Sequence, residues 1–493
     1  MRFLIVAAAV CVLAGVGAAA ARADAVNGTA RPELLVGTKR ADRIAAEGGG
    51  TDRVRCGAGR DVVTADRVDK VAADCEVVSV RASTDPYRNS NSQHQTQVEP
   101  DSFAFGSTVV GTFQSGRFFD GGASNIGWTS STDRGKTWRS GFLPGLTQFS
   151  APPGAFPRVS DPAVAYDAVH GVWLISSLGF SGNVNAMLIS RSRDGRGWGL
   201  PVTAVRSTTD LGFDKEWIAC DNWPASPFRG HCYLTYADFG IGHLMTATSA
   251  DGGLSWSVPV PSTPQFQGEE LNGTQPVVRP DGTLVVVFAG DTDLEQVVST
   301  DGGATFAAPT TVASIVFANV PGIRASPFPS AEVDAAGTIF VAWTDCGARS
   351  SCSGDDIRVT HSLDGRTWSA PVRVPTGARQ AGHSYFMPGI AADPVTAGHL
   401  GITYYEMAAC ACRIDTSYIG SQDGGATWGK PQRLNARSMK PAWLARTSLG
   451  LMLGDYISTS VTGGKPVPVF ALASPPSGAS LREATFVTTR GLS

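Results

Sequence analysis

The chain has 493 residues, 42% apolar and only 17% charged, with a formal net charge of −3. That composition excludes a disordered or supercharged chain. It also lacks the basic excess that non-specific nucleic-acid binding requires. The length admits two or three average domains or one large all-β unit.

At the N-terminus Arg2 precedes an Ala/Val-rich apolar run from Phe3 to Ala20, followed by Ala21-Arg22-Ala23. A positive start, a short apolar stretch and a small-x-small site read as a secretory signal over residues 1–23, with the mature chain starting near Asp24. The alternative, a membrane anchor, is disfavoured by the short run and its small-residue end. No second apolar stretch is long enough to cross a bilayer, so a secreted protein without membrane insertion is expected. Of the nine cysteines, Cys11 leaves with the signal. The other eight fall in local pairs: Cys56 and Cys75, Cys220 and Cys232, Cys346 and Cys352, Cys410 and Cys412. An even count in an exported chain favours disulfides over metal binding. Cys410 can close on Cys412 or bridge to the 346–352 loop, and spacing does not choose between them.

Residues 27–75 form a Gly/Asp-rich module containing Gly49-Gly50-Thr51-Asp52-Arg53-Val54 and Gly57-Ala58-Gly59-Arg60-Asp61-Val62. These segments resemble degenerate nonapeptide repeats of the β-roll (RTX-like) calcium-binding family. That resemblance implies calcium held through Asp52 and Asp61, with oxygen donors suited to a hard cation. Thr51 stands where the repeat has glycine. The second reading is a calcium-free cap tied by Cys56 and Cys75.

From residue 76 to 490 one pattern dominates, Ser-x-Asp-x-Gly-x-Thr-Trp. It recurs six times, around Asp133, Asp194, Asp251, Asp301, Asp364 and Asp423, at intervals of about 50 to 63 residues. Asp can accept hydrogen bonds from neighbouring N–H groups, Gly supplies positive φ, and Trp packs between layers. Upstream of each turn lies a short apolar strand candidate (108–113, 172–175, 232–236, 283–288, 338–343, 400–405). A seventh spans 467–472, with another strand at 484–489. Such spacing predicts an all-β chain built as a β-propeller of four-stranded blades, seven in number with six as the alternative. The last unit lacks a strand, which Glu76–Arg81 is placed to supply, covering an open edge.

In that architecture the Asp-box turns join third to fourth strands and serve structure rather than chemistry. The binding face is instead made at the first-strand starts, at 157–162, 214–217, 267–270, 328–332, 383–388 and 454–456, where charged and aromatic groups recur. Carboxylates crowded there are placed for acid–base work, for holding a metal, or for capping strands. Histidines are few and scattered, and no phosphate-loop or Ser-His-Asp signature is present.

Repeated Asp-boxes on an exported chain resemble the sialidase (neuraminidase) superfamily with its BNR repeats, over about residues 98–490. The resemblance implies a glycoside hydrolase of exo-sialidase type, with three arginines gripping a substrate carboxylate and a Glu-activated Tyr nucleophile beside an Asp acid–base. Carried onto this chain, it implies Arg158 (in Pro157-Arg158-Val159, where the family has Arg-Ile-Pro), Arg324 and Arg413 as carboxylate binders. Asp161 becomes the acid–base, Glu216 or Glu270 the base, and Tyr456 the nucleophile, with Asp455 among the substrate-binding residues. The expected function is action on extracellular carbohydrate or glycoprotein by a monomer. The rivals are a non-catalytic glycan- or protein-binding module and a calcium-dependent adhesion protein, since fold alone does not fix function.

Overall fold

The computed structural model describes residues 25–182, 184–207, 212–266 and 271–492. The signal segment 1–23 and Glu270 lie outside the described residues. The all-β expectation holds, but the propeller does not: the topology is a β-solenoid of about three turns, neither barrel nor propeller. The sheets are not seven or six discrete four-stranded units. One 15-stranded sheet runs from parallel N-terminal strands through the C-terminal strand Glu483–Arg490 into the antiparallel strands that follow. Among the described residues four sheets, starting at Phe213, Asn272, Ser330 and Ser384, are separate and four-stranded. The physical reason for the difference is that a hairpin repeat reports a local turn and its two flanking strands. It carries no information on how successive sheets hydrogen-bond to one another.

The solenoid coils with two parallel ladders. Ala25–Asn27, Arg43–Ala45, Val62–Ala65 and Val77–Arg81 form one, and Leu34–Val36, Arg53–Arg55 and Lys70–Val71 the other. Leu35, Ile44, Val54 and Val63 fill its narrow core, closed by the Cys56–Cys75 disulfide. Successive turns stack too closely for side chains at some corners. Gly57 has φ +96°, and a Cβ there would stand 2.2 Å from the Thr38 carbonyl oxygen. Val77–Arg81 then pairs antiparallel with Glu483–Arg490, Phe486 opposite Arg81, so the solenoid edge is covered by the chain's own C-terminus.

The carboxylates of the solenoid mostly serve the backbone. Asp52 Oδ1 accepts the Glu33 N–H at 2.8 Å and Asp61 Oδ1 accepts the Asp42 N–H at 2.7 Å, each reaching back 19 residues to the previous turn. Asp69 does the same for the Asp52 N–H at 2.8 Å. Asp52 and Asp61 are buried, and each keeps one oxygen without a hydrogen-bond partner among the described residues. No group of three His, Cys, Asp or Glu among the described residues is arranged to hold a metal. One spare carboxylate oxygen per turn does not fit an ion that takes six to eight oxygens.

Downstream, every Asp-box occupies a turn between third and fourth strands. In the third, Asp251 Oδ1 accepts from Ser249 Oγ (2.9 Å), Leu254 N (3.0 Å) and Ser255 N (2.9 Å), and Oδ2 accepts from Ser255 Oγ (2.6 Å). Although burial opposes it, these donors hold the Asp251 carboxyl down at about 2. Four disulfides are present, Cys56–Cys75, Cys220–Cys232, Cys346–Cys352 and Cys410–Cys412, so the last two pairs also close locally. No helix among the described residues is long and apolar enough to cross a membrane.

If the solenoid carboxylates act on the backbone, Asp52→Ala and Asp61→Ala should each lower stability by about 1–3 kcal/mol by leaving a buried N–H unpaired. Thermal unfolding should show the same loss with calcium or with chelator. A loss that disappears in chelator would mean the carboxylates hold an ion instead.

Candidate functional site

The opening strands of five antiparallel units share one irregularity. Gln93–Phe105, Arg158–Asp167, Phe213–Cys220, Asn272–Val278 and Ser384–Ala392 each carry a bulge where pairing with the next strand slips. At each bulge sits a residue in the left-handed region: Glu99 (φ 54°), Asp161 (48°), Lys215 (48°), Gly273 (69°) and Met387 (55°). Glycine adopts this conformation freely, while the other four cost on the order of 1–3 kcal/mol each. A bulge re-aims its side chain out of the ladder, and three of the four side chains, those of Glu99, Asp161 and Lys215, are turned onto one another.

Lys215 is the hub. Its Nζ donates to Glu99 Oε1 at 2.9 Å and Asp161 Oδ1 at 3.1 Å, and pairs with Asp455 Oδ2 at 2.5 Å. Arg324 closes the far side, its Nε donating to Asp455 Oδ1 at 2.7 Å and its Nη2 to Asp455 Oδ2. Behind Glu99, Gln114 Nε2 donates to the second carboxylate oxygen, and Arg117 Nη1 donates to Gln114 Oε1 at 2.8 Å. Glu99, Asp161, Lys215, Asp455 and Arg117 are all buried. Buried charges of this kind persist only when paired and hydrogen-bonded, and here three cations (Arg117, Lys215, Arg324) offset three anions (Glu99, Asp161, Asp455).

Protonation follows from that pairing. Burial alone would lower the Lys215 ammonium, but Asp161, Asp455 and Glu99 together raise it well above its ordinary value. Asp161 is desolvated yet held below the usual carboxylate range, chiefly by Lys215, and Asp455 likewise by Lys215 and Arg324. Burial pushes Glu99 up to about 7 and Asp214 up to about 6. Glu216 is the extreme case. It is buried, neither oxygen has a hydrogen-bond partner among the described residues, and burial followed by the neighbouring Asp161 charge raises it well above the carboxylate range.

An aromatic wall flanks the cluster. Trp217 and Tyr456 meet edge to face with centroids 5.0 Å apart. Lys215 Nζ stands 5.6 Å from the Tyr456 ring and 6.0 Å from Phe328. The Tyr456 hydroxyl donates to the Pro162 carbonyl at 3.0 Å, and desolvation, then the nearby acids, raises its pKa well above the ordinary value. A cavity of about 30 Å³ beside them is lined by Asp101, Trp217, Phe328, Glu332, Asp455 and Tyr456, room for a water molecule rather than a sugar.

The sequence-derived candidates therefore divide. Asp161, Glu216, Arg324, Asp455 and Tyr456 come together at this cluster. Arg158 instead pairs with Asp120 at 2.6 Å and stacks on Phe118 at 4.5 Å. Arg413 is exposed just before strand Ile414–Ser421, its carbonyl accepting the Ala408 N–H. Asp52 and Asp61 belong to the solenoid. Three guanidiniums do meet one carboxylate elsewhere: Arg349, Arg373 and Arg379 all grip Asp356, which is the chain's own. Sequence reasoning did not single out Lys215, Glu99, Asp214 or Arg117. A signal for Glu99 existed, because Glu99-Pro100, Asp161-Pro162 and Met387-Pro388 share a proline after the bulge residue, where a strand can spare an N–H; Lys215 is followed by Glu216 and lacks it.

No protein-family model matches the chain, and no curated protein matches it. Solved structures that it resembles include an ulvan-degrading polysaccharide lyase (10% identity, 82% of this chain and 96% of that one, TM-score 0.48). The alpha-L-arabinofuranosidase arb93a from Fusarium graminearum is another (16% identity, 67% and 92%, TM-score 0.42), as is the NanB sialidase from Streptococcus pneumoniae (13%, 83% and 70%, TM-score 0.41). At these identities and scores the likenesses carry no argument about chemistry.

Removing the hub charge tests the cluster. Lys215→Met should cost about 3–5 kcal/mol at neutral pH, because three buried carboxylates lose their partner. The loss should shrink in mild acid, where the freed carboxylates take up protons. In the parent protein Glu99 already binds more protons folded than unfolded between its ordinary value of 4.5 and about 7, so its contribution falls as pH rises through that window. Urea unfolding at two pH values reads both effects, and a cost that is small or pH-independent would mean Lys215 is not the hub.

Proposed function

We propose that the protein is an exported, monomeric, carbohydrate-active protein that takes a glycan over the Lys215 cluster and breaks a glycosidic bond there. One observation carries this reading: two carboxyl groups of one cluster sit in opposite environments, Glu216 buried with neither oxygen hydrogen-bonded among the described residues, which pushes it up, and Asp161 paired with Lys215, which pulls it down. Environments that push paired acids apart in this way are how one site supplies both an acid and a charge. In this reading Glu216 gives its proton to the leaving glycosidic oxygen as the C–O bond breaks. The Asp161 carboxylate faces the positive charge that develops on the sugar ring, and water adds its hydroxyl to the anomeric carbon while its proton returns to the Glu216 carboxylate, completing hydrolysis. Arg324, half-buried and already forked onto Asp455 through Nε and Nη2, keeps Nη1 for an acidic sugar, and Trp217 with Tyr456 offers ring faces for the pyranose. Tyr456 stays a phenol in this scheme, because its hydroxyl is committed to the Pro162 carbonyl. Four disulfides fit an oxidising, extracellular setting.

A second reading, glycan binding without turnover, is favoured by one feature: the ionised carboxylates are closed onto Lys215 and Arg324, and the adjoining cavity is small. A panel of fluorogenic glycosides, acidic sugars included, separates the two. Glu216→Gln and Asp161→Asn should each lower kcat by about 10²- to 10⁴-fold with folding intact. Glycan binding without turnover would select the second reading, and neither binding nor turnover would remove both.

A further inference from the structure

One large cavity lies away from the Lys215 cluster. It is a groove of about 800 Å³ between the solenoid, the first Asp-box turn and the hairpin at Gly463–Lys465. Ser131, which opens that turn, pairs with Val109, and Val109 with Ala104, whereas the bulge at Glu99 lies five residues earlier on the same strand. The groove therefore sits at the Asp-box end of the strands.

Its lining has two layers. The floor is aliphatic, made by Val71, Val78, Val80, Pro466 and Val467, with the Trp138 ring edge beneath. The rim carries Arg67, Arg134, Lys136 and Lys465, all exposed, and the half-buried Arg490. None of the five has a carboxylate partner in a salt bridge among the described residues, although Arg67 donates to Ser140 Oγ at 3.0 Å and Arg490 to the Val71 carbonyl at 3.1 Å. Two carboxylates also line the groove, and both are already occupied. Asp66 pairs with Arg81 at 3.6 Å, and Asp69 accepts the N–H groups of Asp52 and Asp66. Five cations against two engaged carboxylates, on a chain whose net charge is −3, form a local positive field rather than a general one.

We propose that this groove is a binding site for an acidic oligosaccharide, its carboxylate or sulfate groups held by the Arg/Lys rim and its C–H faces lying on the aliphatic floor. The proposal is independent of catalysis at Glu216. Nucleic acid is the poorer match. The Trp138 indole is buried, with its Nε1 committed to the Gly135 carbonyl at 2.9 Å, so it presents no face for base stacking.

The test is calorimetric titration of the full chain with a galacturonate hexasaccharide and with a heparin-type sulfated hexasaccharide, which distinguishes sugar carboxylate from sugar sulfate. The neutral cellulose hexasaccharide, a glutamate-rich peptide and a single-stranded oligodeoxynucleotide serve as comparisons. One acidic hexasaccharide should bind, more weakly as salt rises, and the neutral one should not. Combined Arg134→Ala, Lys136→Ala and Lys465→Ala should weaken binding by about tenfold or more with Tm unchanged. Lys465→Glu alone, at an exposed hairpin position, should weaken it in the same direction should the triple variant fold poorly. The proposal is overturned by no binding of either acidic sugar, by binding that these variants leave unchanged, or by equal or tighter binding of the peptide or the oligonucleotide.

Discussion

One buried ammonium organises the candidate site. Lys215 is surrounded by Glu99, Asp161 and Asp455, and each carboxylate reaches it from a different part of the chain. Three of the four groups that meet there are not delivered by regular strand geometry, in which side chains alternate between two faces. Asp161, Lys215 and Glu99 arrive because their backbones adopt the left-handed conformation at bulges. The strain of those positions and the desolvation of their charges are unfavourable taken singly. They persist together because each charge answers another.

The same network sets the protonation of its surroundings. Burial and the Asp161 charge push Glu216 up, and the nearby Lys215 ammonium opposes them without prevailing. An unpartnered buried Glu216 thus stands near an Asp161 that is held by Lys215, which is the asymmetry the functional reading rests on. The solenoid shows the opposite use of acidic residues. Its aspartates spend their first oxygens on N–H groups of the preceding turn, tying coil to coil, and the C-terminal strand covers the edge that the last coil exposes.

How far the sequence anticipates this depends on the range of the signal. Local chemistry is legible: all six Asp-boxes fall on turns after third strands, because the Asp carboxylates there bond only to near neighbours. The cysteine pairs close within their own loops for the same reason. The strand Val77–Arg81 pairs with the C-terminal strand as its apolar pattern suggests. What fails is the step from period to architecture, since hairpin spacing is silent on how successive sheets join into the continuous 15-stranded sheet. The site is half legible for a related reason. Asp161, Glu216, Asp455 and Tyr456 announce themselves as polar or aromatic residues at strand starts. Lys215 lies within the 214–217 segment of the expected binding face but has no role of its own there, Glu99 is not named, and Arg158 reads as a site residue although its partner is the nearby Asp120.

The most direct test of the central claim is an NMR titration of the Lys215 ε-carbon, assigned by comparison with Lys215→Arg. A lysine enclosed by three carboxylates should keep its ammonium resonance unchanged through its ordinary value of 10.5, up to the pH at which the protein unfolds. A Lys215 that releases its proton at or below that value while the fold is intact would show that the ion cluster does not exist as described.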